Sequence, residues 1–142
     1  MNKASSQMSL ALQIPMPPST NHAYYNVPGR GRVLSTVARE FKDKASWQAY
    51  KARNEQGWRY EPGARLSLSL EFHFSRDGKR DISNRVKLVE DALAEALGFD
   101  DSVIDLIILR RGTKYRLEYC EVLLESITDV RATTGRAAAA LF

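Results

Sequence analysis

Four aspartates, a lysine and an asparagine between positions 81 and 101 are the residues whose types and spacing could do chemistry: Asp81, Asn84, Lys87, Asp91, Asp100 and Asp101. A helix is predicted over residues 82–97, with Gly98 as its stop. Advancing about 100° per residue from Ile82, the apolar Val86, Val89, Leu93, Ala96 and Leu97 all fall within about 60° of it. Asn84, Lys87 and Asp91 fall at about 200°, 140° and 180°, a polar stripe opposite the core face. Asp81 stands just before this helix, and Asp100 and Asp101 stand just after it. Gathered carboxylates repel one another and raise their own pKa values, whereas a hard cation such as Mg²⁺ takes them as oxygen ligands. Such an ion, open on one side, can polarise a phosphoryl oxygen and activate a water, and a neighbouring lysine can stabilise the charge that builds on a phosphodiester.

Each of these residues also has a plain structural reading. Asp81 could cap the helix through its side chain, a role worth about 1 kcal/mol. Asp100 and Asp101 could form an exposed turn. Lys87 and Asp91, four apart, could be a surface ion pair worth less than about 0.5 kcal/mol. His73 reads as a polar-face strand residue and Cys120 as a strand filler. The sequence holds no His/Cys set with zinc spacing and no pattern that suggests a Ser-His-Asp triad.

The elements that must hold the site follow from periodicity. Residues 10–15 read as a short strand, halted by Pro17 and Pro18, and a loop follows. Tyr24–Val27 and Val33-Leu34 flank Pro28-Gly29-Arg30-Gly31-Arg32, the turn chemistry of a hairpin tip carrying two arginines. Its glycines lack the pattern of a phosphate loop. A helix runs from a cap at Ser35 or Thr36 to Gln56, where Gly57 stops it, with Phe41, Ala45, Ala49 and Ala52 on its inner face. Arg39, Lys42, Lys44, Lys51 and Arg53 surround that stripe, interleaved with Trp47 and Tyr50, a mixture able to lie against phosphates and exposed bases or to form a solvated outer face. Residues 65–74 alternate without error and read as a half-buried strand. Residues 103–109 are nearly all apolar and read as an interior strand buried on both faces. Residues 115–124 are expected to be the antiparallel neighbour of that strand, across Gly112-Thr113.

With 142 residues, 44% hydrophobic and 27% charged, the chain has the make-up of one ordinary globular domain. Collagen-like, disordered and membrane-spanning classes are thereby excluded. Residues 1–60 hold nine bases and three acids, while residues 61–142 hold twelve bases and fourteen acids. This asymmetry suits a polyanionic partner together with a cluster of carboxylates. The single Cys120 can form no internal disulfide and no signal-like segment opens the chain, so the expected compartment is the cytoplasm. Residues 1–8 and 126–142, the latter ending in an Ala run with Leu141 and Phe142, are expected to be flexible tails around a domain at 9–125.

Over about residues 10–124 the chain resembles the RusA-like Holliday junction resolvases, small endodeoxyribonucleases frequent in phages and prophages. One sign is Pro15-Met16-Pro17-Pro18-Ser19-Thr20-Asn21 followed by Tyr24-Tyr25. A more specific one is Arg80-Asp81-Ile82-Ser83-Asn84-Arg85-Val86-Lys87, then Asp91-Ala92-Leu93, then Asp100-Asp101-Ser102-Val103-Ile104. The resemblance implies an α+β single domain, a mixed β-sheet flanked by two main helices, acting as a homodimer. It also implies paired symmetric nicking of four-way DNA junctions with Mg²⁺, or Mn²⁺ as a substitute, in recombination and repair. By resemblance, Asp81, Lys87 and Asp101 are the expected catalytic residues. Asp81, Asp91, Asp100 and Asp101 are the expected metal ligands, supported by Ser83 and Asn84. Arg30, Arg32, Lys42, Arg80 and Arg85 are the expected DNA contacts. Ser83 stands where the family pattern has an acid, and a neutral hydroxyl is a weaker ligand. The alternative is therefore a junction-binding protein that has lost cleavage.

Overall fold

The computed structural model describes residues 9–78 and 80–127. A four-stranded sheet in the order β1, β6, β4, β5 is built from β1 (Ser9–Pro15), β4 (Arg65–His73), β5 (Ile104–Arg111) and β6 (Tyr119–Ile127). β2 (Tyr24–Val27) and β3 (Gly31–Leu34) form a separate hairpin, as the turn chemistry predicts. The helices are α1 (Thr20–Ala23), a single turn within the expected loop, α2 (Thr36–Gln56) and α3 (Lys87–Leu97). Of the two expected tails, only Ser126 and Ile127 lie among the described residues, as the end of β6.

Strict alternation in β4 sends Leu66, Leu68, Leu70 and Phe72 to one face, where they are buried. Leu10 and Ile14 of β1 and Cys120, Val122 and Leu124 of β6 join them. The Phe41, Ala45, Ala49 and Ala52 stripe of α2 is buried as expected, and Leu88, Val89, Ala92, Leu93 and Leu97 of α3 complete the core. Ser35 caps α2 by accepting from the Ala38 amide at 3.2 Å, and Gly57 ends it in the left-handed conformation, φ 68°. Ser35→Ala is expected to cost about 1 kcal/mol, read as a lower denaturant midpoint with an unchanged slope.

Three expectations about elements are corrected. β5 is an edge strand, with Ile107 and Ile108 each about 40% exposed, and not an interior one. Its partner is β4, in parallel, and not β6. The segment from β4 through α3 to β5 is the crossover that a parallel pair requires, and β6 instead lies antiparallel between β1 and β4. The helix expected over 82–97 is broken. A 3₁₀ turn occupies Ser83–Arg85, with Asn84 at φ −97°, ψ 21°, and α3 begins only at Lys87. The helical angle assigned to Asn84 therefore does not apply, whereas the i, i+4 relation of Lys87 and Asp91 does.

Candidate active site

Lys87 opens α3, and its ammonium reaches Asp91 Oδ1 at 3.2 Å and Asp101 Oδ2 at 2.9 Å. Asp91 lies one turn along the same helix. Asp101 arrives from the other side of the α3 C-terminus, where Gly98 at φ 80° ends the helix and a 3₁₀ turn, Asp101–Val103, leads into β5. That turn is fixed by Asp100, whose Oδ1 accepts from the Ser102 amide at 2.9 Å. It is also fixed by Arg65, which donates to the Ser102 carbonyl at 2.8 Å while gripping Asp105 with two nitrogens. The hydrogen bonds to Asp101 and then Asp91 hold the Lys87 pKa well above the usual lysine value. Glu90, adjacent on α3, has its carboxyl pKa raised, first by burial and then, against the pull of Lys87, by the charges of Asp101 and Asp91. Two carboxylates therefore hold one ammonium, and Glu90 is a nearby acid, within reach of their charges, that the helical wheel did not single out.

Asp81 and Asn84 belong to an adjoining cleft of about 510 Å³, lined by Pro18, Ser19, Asn21, His22, Arg80, Asp81, Asn84 and Arg85. Here the two sequence signatures, more than sixty residues apart, meet. Arg85 Nη1 donates to the Pro17 carbonyl at 2.7 Å and its Nε to the Asp81 carbonyl at 2.9 Å, while Thr20 Oγ1 donates to the Asn84 carbonyl at 2.6 Å. Asn84 Oδ1 is buried with no hydrogen-bond partner. No capping bond is made by the Asp81 side chain, so the capping reading of that residue falls away. Among the described residues, the carboxylates of Asp81, Asp91, Asp100 and Asp101 form no group of three within 4.8 Å. Asp91 and Asp101 are joined through Lys87, Asp100 holds its own turn, and Asp81 faces the cleft.

The basic residues divide into two kinds. Arg30 and Arg32 are exposed on the β2–β3 hairpin, with Arg32 lying 4.5 Å over the Tyr24 ring. Arg80, Arg85 and Arg111 surround the buried Phe74 ring at 4.4, 5.4 and 5.0 Å, a cationic cluster against the cleft. Arg85, expected to touch DNA, is corrected to a scaffold position: it is 9% exposed, and its donors hold carbonyls of both signatures. Burial lowers its pKa, with Arg80 and Arg111 adding to the effect and Glu118 opposing it. Lys42 is half-buried and faces Glu95 of α3 at 3.9 Å. Arg111 and Glu118 carried no signal in the sequence, because each reaches the site only through the tertiary arrangement of strand ends.

Glu118 accepts from Arg80 Nη1 at 2.5 Å and from the backbone and hydroxyl of Ser75. Burial pushes its pKa up, but the Arg80 and Ser75 hydrogen bonds outweigh that and bring it to about 2, from an ordinary 4.5. A carboxylate with a depressed folded-state pKa contributes stability above its unfolded pKa and loses it as pH falls through the folded one. Acid unfolding between pH 4.5 and about 2 is therefore expected to include a Glu118 component. In Glu118→Gln, the stability difference from the parent should shrink over that window, as read by urea midpoints at successive pH values.

A mixed sheet flanked by helices, one of which opens on a carboxylate-bound lysine, together with a cationic cleft, defines a class of protein suited to a polyanionic substrate. The model of the family described as Endodeoxyribonuclease RusA matches residues 15–122, and the chain belongs to that family. No curated protein matches. A solved structure, 2C-methyl-D-erythritol 2,4-cyclodiphosphate synthase from Plasmodium vivax, aligns over 83% of this chain and 95% of its own, with 12% identity and a TM-score of 0.31, too low to carry an argument. Family membership makes the chain an endodeoxyribonuclease by descent, a hydrolase of DNA backbones whose relatives act on Holliday junctions.

Proposed function

We propose that the chain is a Mg²⁺-dependent endonuclease that resolves four-way DNA junctions by paired, symmetric nicks, working as a homodimer in the cytoplasm. The observation that carries this reading is the meeting of both sequence signatures at one cleft, beside an ammonium held between Asp91 and Asp101. By atom type, though not by the spacing of its members in this structure, the donor set suits a hard divalent cation. It is oxygen only, Asp81 has no ion-pair partner among the described residues, and Asn84 Oδ1 is buried without a partner. Asp81, Asp91 and Asp101, with Asn84 in support, are the residues that would hold it. When bound, such an ion polarises a phosphoryl oxygen and lowers the pKa of a water.

The remaining work falls to the chain itself. Lys87, positioned by two carboxylates, presents its ammonium to negative charge that develops on the phosphodiester. Arg80 and Arg111 attract the strand, and Arg30 and Arg32 extend the basic surface to the hairpin tip. A two-fold junction is matched most simply by a two-fold enzyme. Among the described residues no helix is long and apolar enough to cross a membrane.

A second reading, junction binding without cleavage, is favoured by Ser83, which is exposed and neutral where the family pattern has an acid. Incubation of a labelled four-way junction with Mg²⁺ separates the two. Nicks at matching positions in opposite strands, with a linear duplex of the same sequence left intact, support the enzyme. A bound but uncut junction that becomes cleavable only with Ser83→Asp supports the binding protein.

A further inference from the structure

On the sheet face away from the helices, Glu71 and His73 of β4 and Glu121 of β6 bring one ligand atom each within 4.8 Å of one another. His73 is buried, with its side chain 5% exposed. Its Nδ1 lies 2.8 Å from the Thr113 carbonyl. A carbonyl can only accept, so Nδ1 carries the hydrogen and, in the neutral ring, Nε2 presents a lone pair. That lone pair points at Glu121 Oε1, 2.7 Å away, and at Glu71 Oε2, 3.2 Å away. With the ring neutral, three acceptors converge here and need a cation between them. Burial opposes a charged ring, but the Thr113 and Glu121 hydrogen bonds outweigh it and raise the His73 pKa, so a second ring proton is what a metal ion must displace. A ring nitrogen fixed by a backbone carbonyl is also the usual way a metal-binding histidine is oriented.

The surroundings are built to hold this geometry. Tyr119 stacks on the imidazole, ring centroids 4.5 Å apart. Gly112 backs the group so closely that a Cβ there would lie 2.7 Å from Glu71 Oε2 and collide with the His73 ring. Arg110 Nη1 approaches the other Glu71 oxygen, Oε1, at 3.2 Å, leaving Oε2 turned to the histidine. Glu71, Arg110 and Glu121 line an open groove of about 540 Å³ across the sheet, which gives an ion at this position a route in and free coordination sites.

We propose that Glu71, His73 and Glu121 form a binding site for a borderline divalent transition ion, of which Zn²⁺ is the type. Imidazole nitrogen with carboxylate oxygen is a donor set that Zn²⁺ accepts, and Mg²⁺, which favours oxygen ligands in octahedral order, does not match it. The site is separate from the carboxylates around Lys87 and does not depend on the nuclease reading.

The test uses the full chain stripped with a chelator and then titrated with Zn²⁺ by calorimetry and with Co²⁺ by visible absorption. With millimolar Mg²⁺ present to fill any oxygen-only site, one equivalent of Zn²⁺ or Co²⁺ is expected to bind and not be displaced. Glu121→Gln, at a half-exposed position that tolerates the change, and His73→Gln are each expected to weaken binding at least about tenfold. Asp101→Asn is expected to leave binding unaltered. Absence of a binding isotherm, binding that Glu121→Gln and His73→Gln leave intact, or an Nε2-bound proton on His73 by nitrogen NMR with Zn²⁺ in excess would each overturn the proposal. The last outcome would mean that an imidazolium bridges the two glutamates.

Discussion

Lys87→Met is expected to slow single-turnover junction cleavage by about a hundredfold or more while leaving junction affinity within a few-fold of the parent. The ammonium sits between Asp91 and Asp101, so its place beside the cleft is set by two charge-assisted hydrogen bonds and not by chance of rotamer. Losing one preorganised donor to developing charge costs about 100- to 1000-fold in other hydrolases. Methionine keeps the length and the packing of the stem but supplies no hydrogen. Lys87→Arg should rescue little, because a planar guanidinium cannot take the position of a compact ammonium between two carboxylates. A loss of affinity equal to the loss of rate would instead make Lys87 a simple phosphate contact.

The second large effect is on the scaffold. Arg85→Ala is expected to destabilise the fold by about 2–4 kcal/mol, because the carbonyls of Pro17 and Asp81 lose their donors at a buried position. The guanidinium also packs near the Phe74 ring, so stem and charge are lost together. Arg85→Lys should recover only part of this, since one ammonium cannot reproduce a fork aimed at two acceptors. Denaturant midpoints give the stability change. The same variants should lose cleavage out of proportion to the fraction unfolded, because Arg85 ties the loop carrying Ser19 and Asn21 to the turn carrying Asp81 and Asn84.

Local periodicity made most elements legible. The error-free alternation of residues 65–74, the Ser35 cap with the Gly57 stop, and the alanine stripe of α2 each answer to forces acting within a few residues. The pairing of strands does not. The apolar run before Leu109 says that a strand forms there, but its place at the sheet edge depends on β6 being inserted between β1 and β4. The break at Asn84 was hidden for a related reason. No proline or glycine marks it, and it is held by Thr20 and Arg85, whose contacts cross the fold.

For the candidate site, the i, i+4 spacing of Lys87 and Asp91 and the position of Asp101 just ahead of β5 were readable, and the structure joins all three. Glu90 was not readable, because its raised carboxyl depends first on burial that the helical wheel cannot supply for a charged residue. Arg85 shows the converse failure. An arginine inside a motif looks like a phosphate contact until burial shows its donors committed to carbonyls. Glu71, His73 and Glu121 lie on alternate positions of two strands, and only the antiparallel register of β4 with β6 sets them face to face.

The proposed nuclease needs carboxylates that hold a divalent ion where a DNA strand can reach it, and the Mg²⁺ dependence of junction cleavage is the sharpest check. Single-turnover nicking by the parent, Asp81→Asn and Asp101→Asn should be followed from chelator to tens of millimolar Mg²⁺. The expected result is no cleavage in chelator, saturation by the parent, and variants that either need far more Mg²⁺ or never cut, although all three bind the junction. Full cleavage without a divalent ion, or curves for both variants that overlie the parent's, would contradict the account.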